Sequence, residues 1–287
     1  MKKPGFIISV LVLVNLAIYL FATAPAPLPE AREEVDKIPI EVALTILNEE
    51  NARVRTIYTR DIVGAGMKVG LRFDERWQDE AVQAGPLPAL FLRETARRLE
   101  RRPVQLGLFL GSKYPVRAAN QFSGEQAKHF ESVEADGKPV FFRSLDTLRS
   151  TAMFADLAVA QPCVSCHNDH PKSPKHDWAL GDVMGATTWT HPDEAVSLTE
   201  LLALIDGLRG SVSEAYTMYL EKARSFEEPP EVGDRWPADG YALPSTDVFM
   251  ARVRATTGQA TLEALLASRA APEEHGDEPT KGVKVPQ

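Results

Sequence analysis

Cys163-Val164-Ser165-Cys166-His167 is the stretch whose residue types and spacing predict chemistry. Two cysteines separated by two residues, with a histidine directly after the second, form the pattern that attaches a c-type haem. Each thiol adds across a vinyl group on the porphyrin edge, so both sulfurs must leave one short turn in the same direction. The imidazole that follows lies under the ring, where it can bind the iron. The motif predicts thioether bonds at Cys163 and Cys166 and the proximal iron ligand at His167.

Two other uses of these cysteines remain open. They are the only two in 287 residues, so they could form a lone structural or redox disulfide of the C-x-x-C type. They could also bind zinc, because His167, His170 and His176 follow closely and could complete a set of two cysteines and two histidines. We favour one covalent haem over both alternatives, because the histidine directly after the second cysteine belongs to the haem-attachment pattern.

Composition limits the classes of protein to consider. Hydrophobic residues make up 44% and charged residues 25% of the chain, as in ordinary globular proteins. The net charge of -8 argues against a nucleic-acid partner, since phosphate binding needs a basic surface. A length of 287 residues suits one large domain, or one domain with an extension. No enzyme class follows from these values.

Residues 1–24 predict an export signal. A lysine pair follows the first methionine, and residues 6–22 are almost entirely apolar. Ala22 and Ala24 offer a cleavage site, but Pro25 would follow the scissile bond and block the peptidase. We therefore favour an uncleaved signal anchor over a cleaved signal peptide. In both cases the chain is expected on the periplasmic side of the inner membrane, which agrees with haem attachment outside the cytoplasm.

The rest of the chain divides by composition into four segments. They are a proline-rich tether over residues 25–39, a haem domain over 40–225, a linker with short helices at 246–254 and 261–269 within 226–270, and a disordered tail over 271–287. Within the haem domain, periodicity predicts helices over 40–65, 86–100 and 198–225, a helix after Ser123, and strands over 104–110, from 140, and over 183–190. Two capping boxes are predicted, Ser123 with Gln126 and Ser197 with Glu200.

Arginines are concentrated on the second predicted helix. Arg93, Arg97 and Arg101 share one face because they are four residues apart. Such a face is usually solvated. The alternative is that some of these guanidinium groups pair with haem propionates or with an acidic partner, since the guanidinium fork matches a carboxylate.

The order of elements and several short stretches resemble a known family. The stretches are Gly85 to Ala89, the Tyr114-Pro115 loop with Asn120, Cys163 to Asn168, Ser173 to Trp178, and Gly181 to Gly185. Over residues 40–225 the chain resembles exported c-type haem domains with a PAS-like fold, which are discussed as redox or gas sensors. The resemblance implies an α+β fold, with a small antiparallel sheet flanked by helices, and one covalent haem.

The second axial ligand cannot be carried over from that family. Similar proteins are known in which a cysteine binds the iron opposite the histidine, and this chain has no third cysteine. Methionine, histidine, water or an empty position must take its place. Met67 is our leading candidate for the distal ligand, followed by His191, His129, Met153 and Met184.

The distal ligand also decides between functions. Two strong protein ligands suit redox sensing or electron transfer, whereas a weak or absent ligand admits a diatomic gas. Because a long folded segment precedes the motif, we expect a membrane-anchored periplasmic sensor, in which the iron biases a packed helix such as 198–225. The alternatives are an electron-transfer protein serving a membrane respiratory or detoxifying enzyme, and, from another class, a haem peroxidase. A sensor would need a partner protein, for which residues 226–287 are the candidate contact, and helix 198–225 could form a homodimer.

Overall fold

The computed structural model describes residues 12–17, 19 and 37–270, apart from the side chains of residues 260, 264 and 266–270. The chain divides into two units, residues 1–36 and 37–287. In the first unit, residues 12–17 and 19 are helical. Among the described residues, no helix is both long enough and apolar enough to cross a membrane. Most of the predicted anchor and tether, and all of the predicted tail, lie outside the described residues.

The described part of the second unit contains seven α-helices. They are α1 (Ile40–Ile57), α2 (Ala65–Lys68), α3 (Pro88–Leu99), α4 (Gly124–Asp136), α5 (Gln161–Asp169), α6 (Leu198–Arg224) and α7 (Thr246–Ala270). A π-helical segment, Tyr58–Gly64, joins α1 directly to α2. Short 3-10 turns lie at Ala118–Asn120 and Pro237–Asp239.

One four-stranded antiparallel sheet forms the centre of this unit. Its strands are β4 (Gly107–Gly111), β5 (Val140–Arg143), β6 (Ser150–Leu157) and β7 (Val183–His191), in the spatial order β4-β7-β6-β5. Three two-stranded pairs surround it: β1 (Ile38–Pro39) with β8 (Ala195–Val196), β2 (Phe73–Asp74) with β3 (Gly85–Pro86), and β9 (Glu231–Gly233) with β10 (Ala242–Pro244). Helices and small sheets together fit the predicted α+β class.

The sheet buries both of its faces, and β6 shows how. Ala152 and Phe154 pack into the large core that contains α1, α3, α6 and α7. Met153, between them, packs with Phe130 and Val133 of α4 on the opposite face. Successive side chains of a strand point to opposite faces, so an almost continuous apolar strand is expected here. The helices on one face and α4 on the other fix where each strand ends.

Three predicted helices differ from the structure. Residues 246–254 and 261–269 belong to one continuous helix, α7, because Phe249, Met250 and Val253 pack into the main core and Thr257 between the two predicted segments is fully buried. The helix predicted over 40–65 also continues, through the π-helical segment, to Lys68. Met67 therefore lies within a helix rather than after one.

Candidate functional site

The motif is carried by α5, which lies in the connection between the adjacent strands β6 and β7. Pro162 occupies the first turn of α5, where its missing N–H costs nothing. Val164 is buried and packs with Ala158 and Trp178. The connection is closed by two backbone hydrogen bonds, Ala158 N to Asp182 O at 2.9 Å and Gly181 N to Ala158 O at 3.0 Å. These contacts hold α5 against the end of the sheet.

Both thiols are free and lie one helical turn apart. Cys163 is half-buried and Cys166 is exposed. Residues three apart on a helix lie on the same side, so the two sulfurs leave α5 in similar directions. Partial burial of the Cys166 sulfur, followed by the negative charge of Glu75, raises the pKa of this thiol. The geometry required for two thioether bonds on one porphyrin edge is thus present.

His167 directly follows and is held in its neutral form. Burial lowers the pKa of the His167 imidazole, against the opposing effect of the Asp156 carboxylate. Neutral imidazole is the form that binds metals. Its Nδ1 atom is buried and has no hydrogen-bond partner among the described residues. A buried nitrogen without a partner costs free energy, which indicates that the site accommodates a group the chain does not supply.

The loop after α5 is fixed by Asn168. Its Nδ2 donates to the carbonyl of Trp178 at 3.0 Å, and its Oδ1 accepts from the backbone N–H of Trp178 at 2.8 Å. The Trp178 ring is buried and meets Tyr114 edge to face, with ring centroids 6.1 Å apart. The indole Nε1 of Trp178 is a second buried polar atom without a partner in the described part of the chain.

Apolar side chains at both ends of α5 face solvent. Leu157 and Val159 precede the helix and are 45% and 75% exposed, and Leu180 follows the loop and is 57% exposed. Exposed apolar clusters of this kind usually mark a ligand or partner surface. A porphyrin ring bound at α5 would cover such side chains. Together with the free thiols and the unpartnered imidazole, this surface fits a covalent haem.

The other histidines that could complete a zinc site make different contacts. His170 Nε2 lies 2.8 Å from a carboxylate oxygen of Glu75, and His176 Nδ1 lies 2.5 Å from the carbonyl oxygen of Asn168. Over the described residues, no three His, Cys, Asp or Glu side chains come together in a group that could hold a metal ion.

Two of the distal-ligand candidates, Met67 and Met184, are connected to α5 through neighbouring residues and their contacts. Met67 is 62% exposed on α2, and its neighbour Gly66 packs against Phe73. Phe73 is two residues before Glu75, which pairs with His170 at the end of α5. Met184 is half-buried and packs with the cluster that contains Val164 and Trp178.

The three remaining candidates are occupied elsewhere. His191 lies at the far end of β7 from Val183, is buried, and accepts a hydrogen bond from the backbone of Asp193. His129 stacks on Phe142 with ring centroids 3.8 Å apart. Met153 is fully buried against α4.

Sequence reasoning missed the acidic groups around the motif. Asp156, at the end of β6, and Glu75, after β2, both act on the His167 imidazole. Asp156 also forms an ion pair of 2.8 Å with Arg55 of α1. These residues are far apart in the sequence and lie in no motif, so only the folded chain could bring them to the site.

Comparison with known proteins supports a family but not an activity. A family model described as Tll0287-like (Tll0287) matches residues 40–192, which run from α1 to just beyond β7 and contain all of α5. No curated protein and no solved structure shows a significant match to the chain. Because the family model covers more than half of its length, the chain belongs to the Tll0287-like family.

Proposed function

We propose that this protein is a monohaem c-type sensor of redox state or of a small ligand, anchored at the periplasmic side of the inner membrane. Cys163 and Cys166 would form the thioether bonds, and His167 would be the proximal iron ligand. The observation that carries the proposal is the arrangement on α5: two free thiols one turn apart and a half-buried imidazole with an unpartnered Nδ1. When bound, the haem supplies the redox-active or ligand-binding iron.

A PAS-like relationship belongs to the same proposal. Three features support it: a small antiparallel sheet, helices on both of its faces, and the first strand β4 placed next to the last strand β7. In this arrangement α5 is an insertion between the last two strands of the sheet. The chain thus presents its reactive residues at a sheet end rather than inside a helical bundle.

Contacts between the site and the long helices favour sensing. Asp156, beside His167, pairs with Arg55 of α1. Farther along α1, Glu50 binds Arg209 of α6 and Thr261 of α7. A change of charge at the iron would act on Asp156 first and, through Arg55, would bias the position of α1 relative to α6.

Electron transfer is the second candidate. The exposed apolar side chains Leu157, Val159 and Leu180 would leave a haem edge close to the surface, where a redox partner could approach. The same chain would then serve a membrane respiratory or detoxifying enzyme. The two functions differ in whether the iron changes its ligands.

An absorption spectrum of the full chain, exported in a host that matures c-type cytochromes, tests the haem. We expect a Soret band that survives acid-acetone extraction, because thioether bonds are covalent. The double variant Cys163→Ala/Cys166→Ala should lose the band, and the matched variant Ser165→Ala, which keeps both thiols, should retain it. If extraction removes the band from the unmodified chain, the haem is not covalent, and zinc binding or a disulfide becomes the favoured use of the motif.

Carbon monoxide then separates the functions. We infer that Met67 is the distal ligand, so the reduced protein should not respond to carbon monoxide, whereas Met67→Ala should show a shifted Soret band. Met184→Ala is the matched control, because Met184 is the other methionine near α5 and packs in the Trp178 cluster. A shift in the unmodified chain would indicate an open iron and favour gas sensing. If carbon monoxide shifts the Soret band in Met184→Ala but not in Met67→Ala, Met184 is the distal ligand.

A further inference from the structure

Arg93 is an arginine without an anion. It is half-buried on α3, and no carboxylate forms an ion pair with it among the described residues. Its neighbours on the same helix are paired: Arg97 and Arg98 contact Glu94 at 2.7 and 3.1 Å. Arg93 therefore differs from Arg97 and Arg98. Like Arg101, it has no carboxylate partner among the described residues, but unlike Arg101 it is half-buried.

A second arginine lies in the loop that follows β4, the strand against which α3 packs. Arg117, exposed in the loop after β4, and Arg97 are the positive charges that act on Arg93, while Glu94 and Glu75 act in the opposite direction. Burial, followed by the charge of Arg117, lowers the pKa of the Arg93 guanidinium. Two like charges held together in a protein with net charge -8 are destabilising unless an anion joins them.

The elements that carry these arginines border the motif. Glu75, which acts on Arg93, also acts on Cys166 and His167 and pairs with His170. The loop of Arg117 is closed by the hydrogen bond from Ser112 N to Asn120 O at 2.9 Å, and its Tyr114 contacts Trp178. The segment that carries Glu75 also lies against α3, where Gln78 Nε2 donates to Glu94 Oε1 at 3.2 Å. Helix α3 and the loop of Arg117 therefore approach α5 on the side of Glu75 and Trp178.

The missing anion is best matched by a carboxylate. A guanidinium group presents parallel N–H donors that fit the two oxygens of a carboxylate. A haem carries two propionate carboxylates on the edge of the porphyrin away from its vinyl groups, and the vinyl edge would be fixed at Cys163 and Cys166. Cationic donors that bind the propionates of a haem held on α5 would therefore lie at some distance from the thiols.

We propose that Arg93, together with Arg117, binds a haem propionate and so positions the haem and raises its reduction potential. This inference rests on the proposed covalent haem. Both arginines are positioning residues, since neither is proposed to reach the iron. Their positive charge would stabilise the reduced haem, which carries one more electron than the oxidised form.

The test compares reduction potentials of the full chain, exported with its haem, for single variants. Arg93→Gln and Arg117→Gln should each lower the equilibrium constant for haem reduction by about threefold to tenfold, as expected for loss of one partly screened charge. Arg93→Lys should recover most of this change, because it restores the charge. The propionate bending band in the resonance Raman spectrum should shift in the glutamine variants, since it reports hydrogen bonding to the propionates.

Arg101→Gln is the matched control. It removes the same charge from the end of the same arginine-rich stretch, where Arg101 is exposed, and should leave both the potential and the Raman band unchanged. Unchanged values in Arg93→Gln and Arg117→Gln, with haem still attached, would overturn the inference and favour an acidic protein partner as the anion. If Arg93→Gln does not accumulate, Arg117→Gln decides alone, because Arg117 lies in an exposed loop.

A denaturing gel stained for haem distinguishes a failure of the proposed covalent haem from a failure of the proposed propionate contact. A stained band for the unmodified chain supports the covalent haem whatever the potentials show. Absence of stain would overturn the proposed function and the propionate contact together, whereas stain with unaltered potentials overturns only the contact.

Discussion

The Glu50 carboxylate, where α1, α6 and α7 meet, finds its hydrogen-bond partners within the chain, whereas two buried nitrogen atoms near α5 do not. Glu50 is 1% exposed, accepts two hydrogen bonds from Arg209 at 2.9 and 2.6 Å, and accepts a third from Thr261 at 2.6 Å. At the other region, His167 Nδ1 and Trp178 Nε1 are buried without partners among the described residues.

The difference separates structural roles from functional ones. A buried charge is tolerated when it is paired and hydrogen-bonded, so the Glu50 cluster is a finished structural contact between three helices. Unpartnered polar atoms, free thiols and exposed apolar side chains in one place indicate a surface that a further group completes. The comparison predicts that changes at Glu50 affect stability, whereas changes at α5 affect the bound group.

The largest expected effect is on the Glu50 cluster. Arg209→Leu leaves the Glu50 carboxylate buried and without its cation, and should lower the free energy of unfolding by about 3–5 kcal/mol. Urea titration of the full chain measures the loss. Arg235→Leu is the matched control: it breaks an ion pair with Glu231 in which both side chains are at least half exposed, and should cost no more than about 1 kcal/mol. Equal costs for the two variants would remove the distinction between the regions.

Preventing attachment of the proposed haem should loosen only the α5 region. In Cys163→Ala/Cys166→Ala, amide hydrogens over residues 157–182 should exchange at least about tenfold faster, a local change of about 1.4 kcal/mol. Amides of α1 and α6 should keep their protection, since their packing does not depend on α5. The control Ser165→Ala keeps both thiols and should exchange like the unmodified chain. Faster exchange throughout α1 and α6 would show that the packing of these helices, and not only the ion pair of α1 with Asp156, depends on the haem.

The sequence supports local features better than contacts between distant ones. The helix beginning at Ser197 was predicted from its capping box, and the structure confirms it, with Ser197 Oγ accepting from Glu200 N at 3.2 Å. The strand at 183–190 follows from β-branched residues and is confirmed as β7. Such elements are determined by residues that are close together in the sequence, and periodicity and capping patterns depend on the same residues.

Ion pairs between residues that are far apart in the sequence cannot be recognised from the sequence around either residue. Nothing near Glu50 in the sequence indicates Arg209, 159 residues away, and nothing near Asp156 indicates Arg55. Thr257 and Gly258 lie between the two predicted helices and are poor interior helix residues. Burial of Thr257 and its hydrogen bond from Arg209 at 2.8 Å keep α7 continuous there. Tertiary contacts override propensity at such positions.

Two buried tyrosines of α6 provide a finer comparison within the core. The Tyr216 hydroxyl donates to the carbonyl of Pro244 at 2.9 Å, while the Tyr219 hydroxyl is buried without a partner in the described part of the chain. Tyr216→Phe leaves that carbonyl unsatisfied and should cost about 1–2 kcal/mol, whereas Tyr219→Phe removes an unpaired group and should be neutral or stabilising by up to about 1 kcal/mol. Urea unfolding of both variants measures the sign and the size of the change in the free energy of unfolding. A cost at Tyr219 equal to that at Tyr216 would indicate that its hydroxyl has a partner, such as a buried water.

The smallest expected effect concerns the two predicted capping boxes, only one of which forms. Ser197 caps α6 with its side chain, whereas Ser123 occupies the same position before α4 but its side chain makes no capping hydrogen bond. Ser197→Ala should therefore lower the free energy of unfolding by about 1 kcal/mol, and Ser123→Ala by no more than a few tenths. Thermal unfolding of both variants at one protein concentration measures the difference. Because both serines precede helices with an acidic first turn, a similar loss in the two variants would mean that the serine, and not its hydrogen bond, stabilises the helix start.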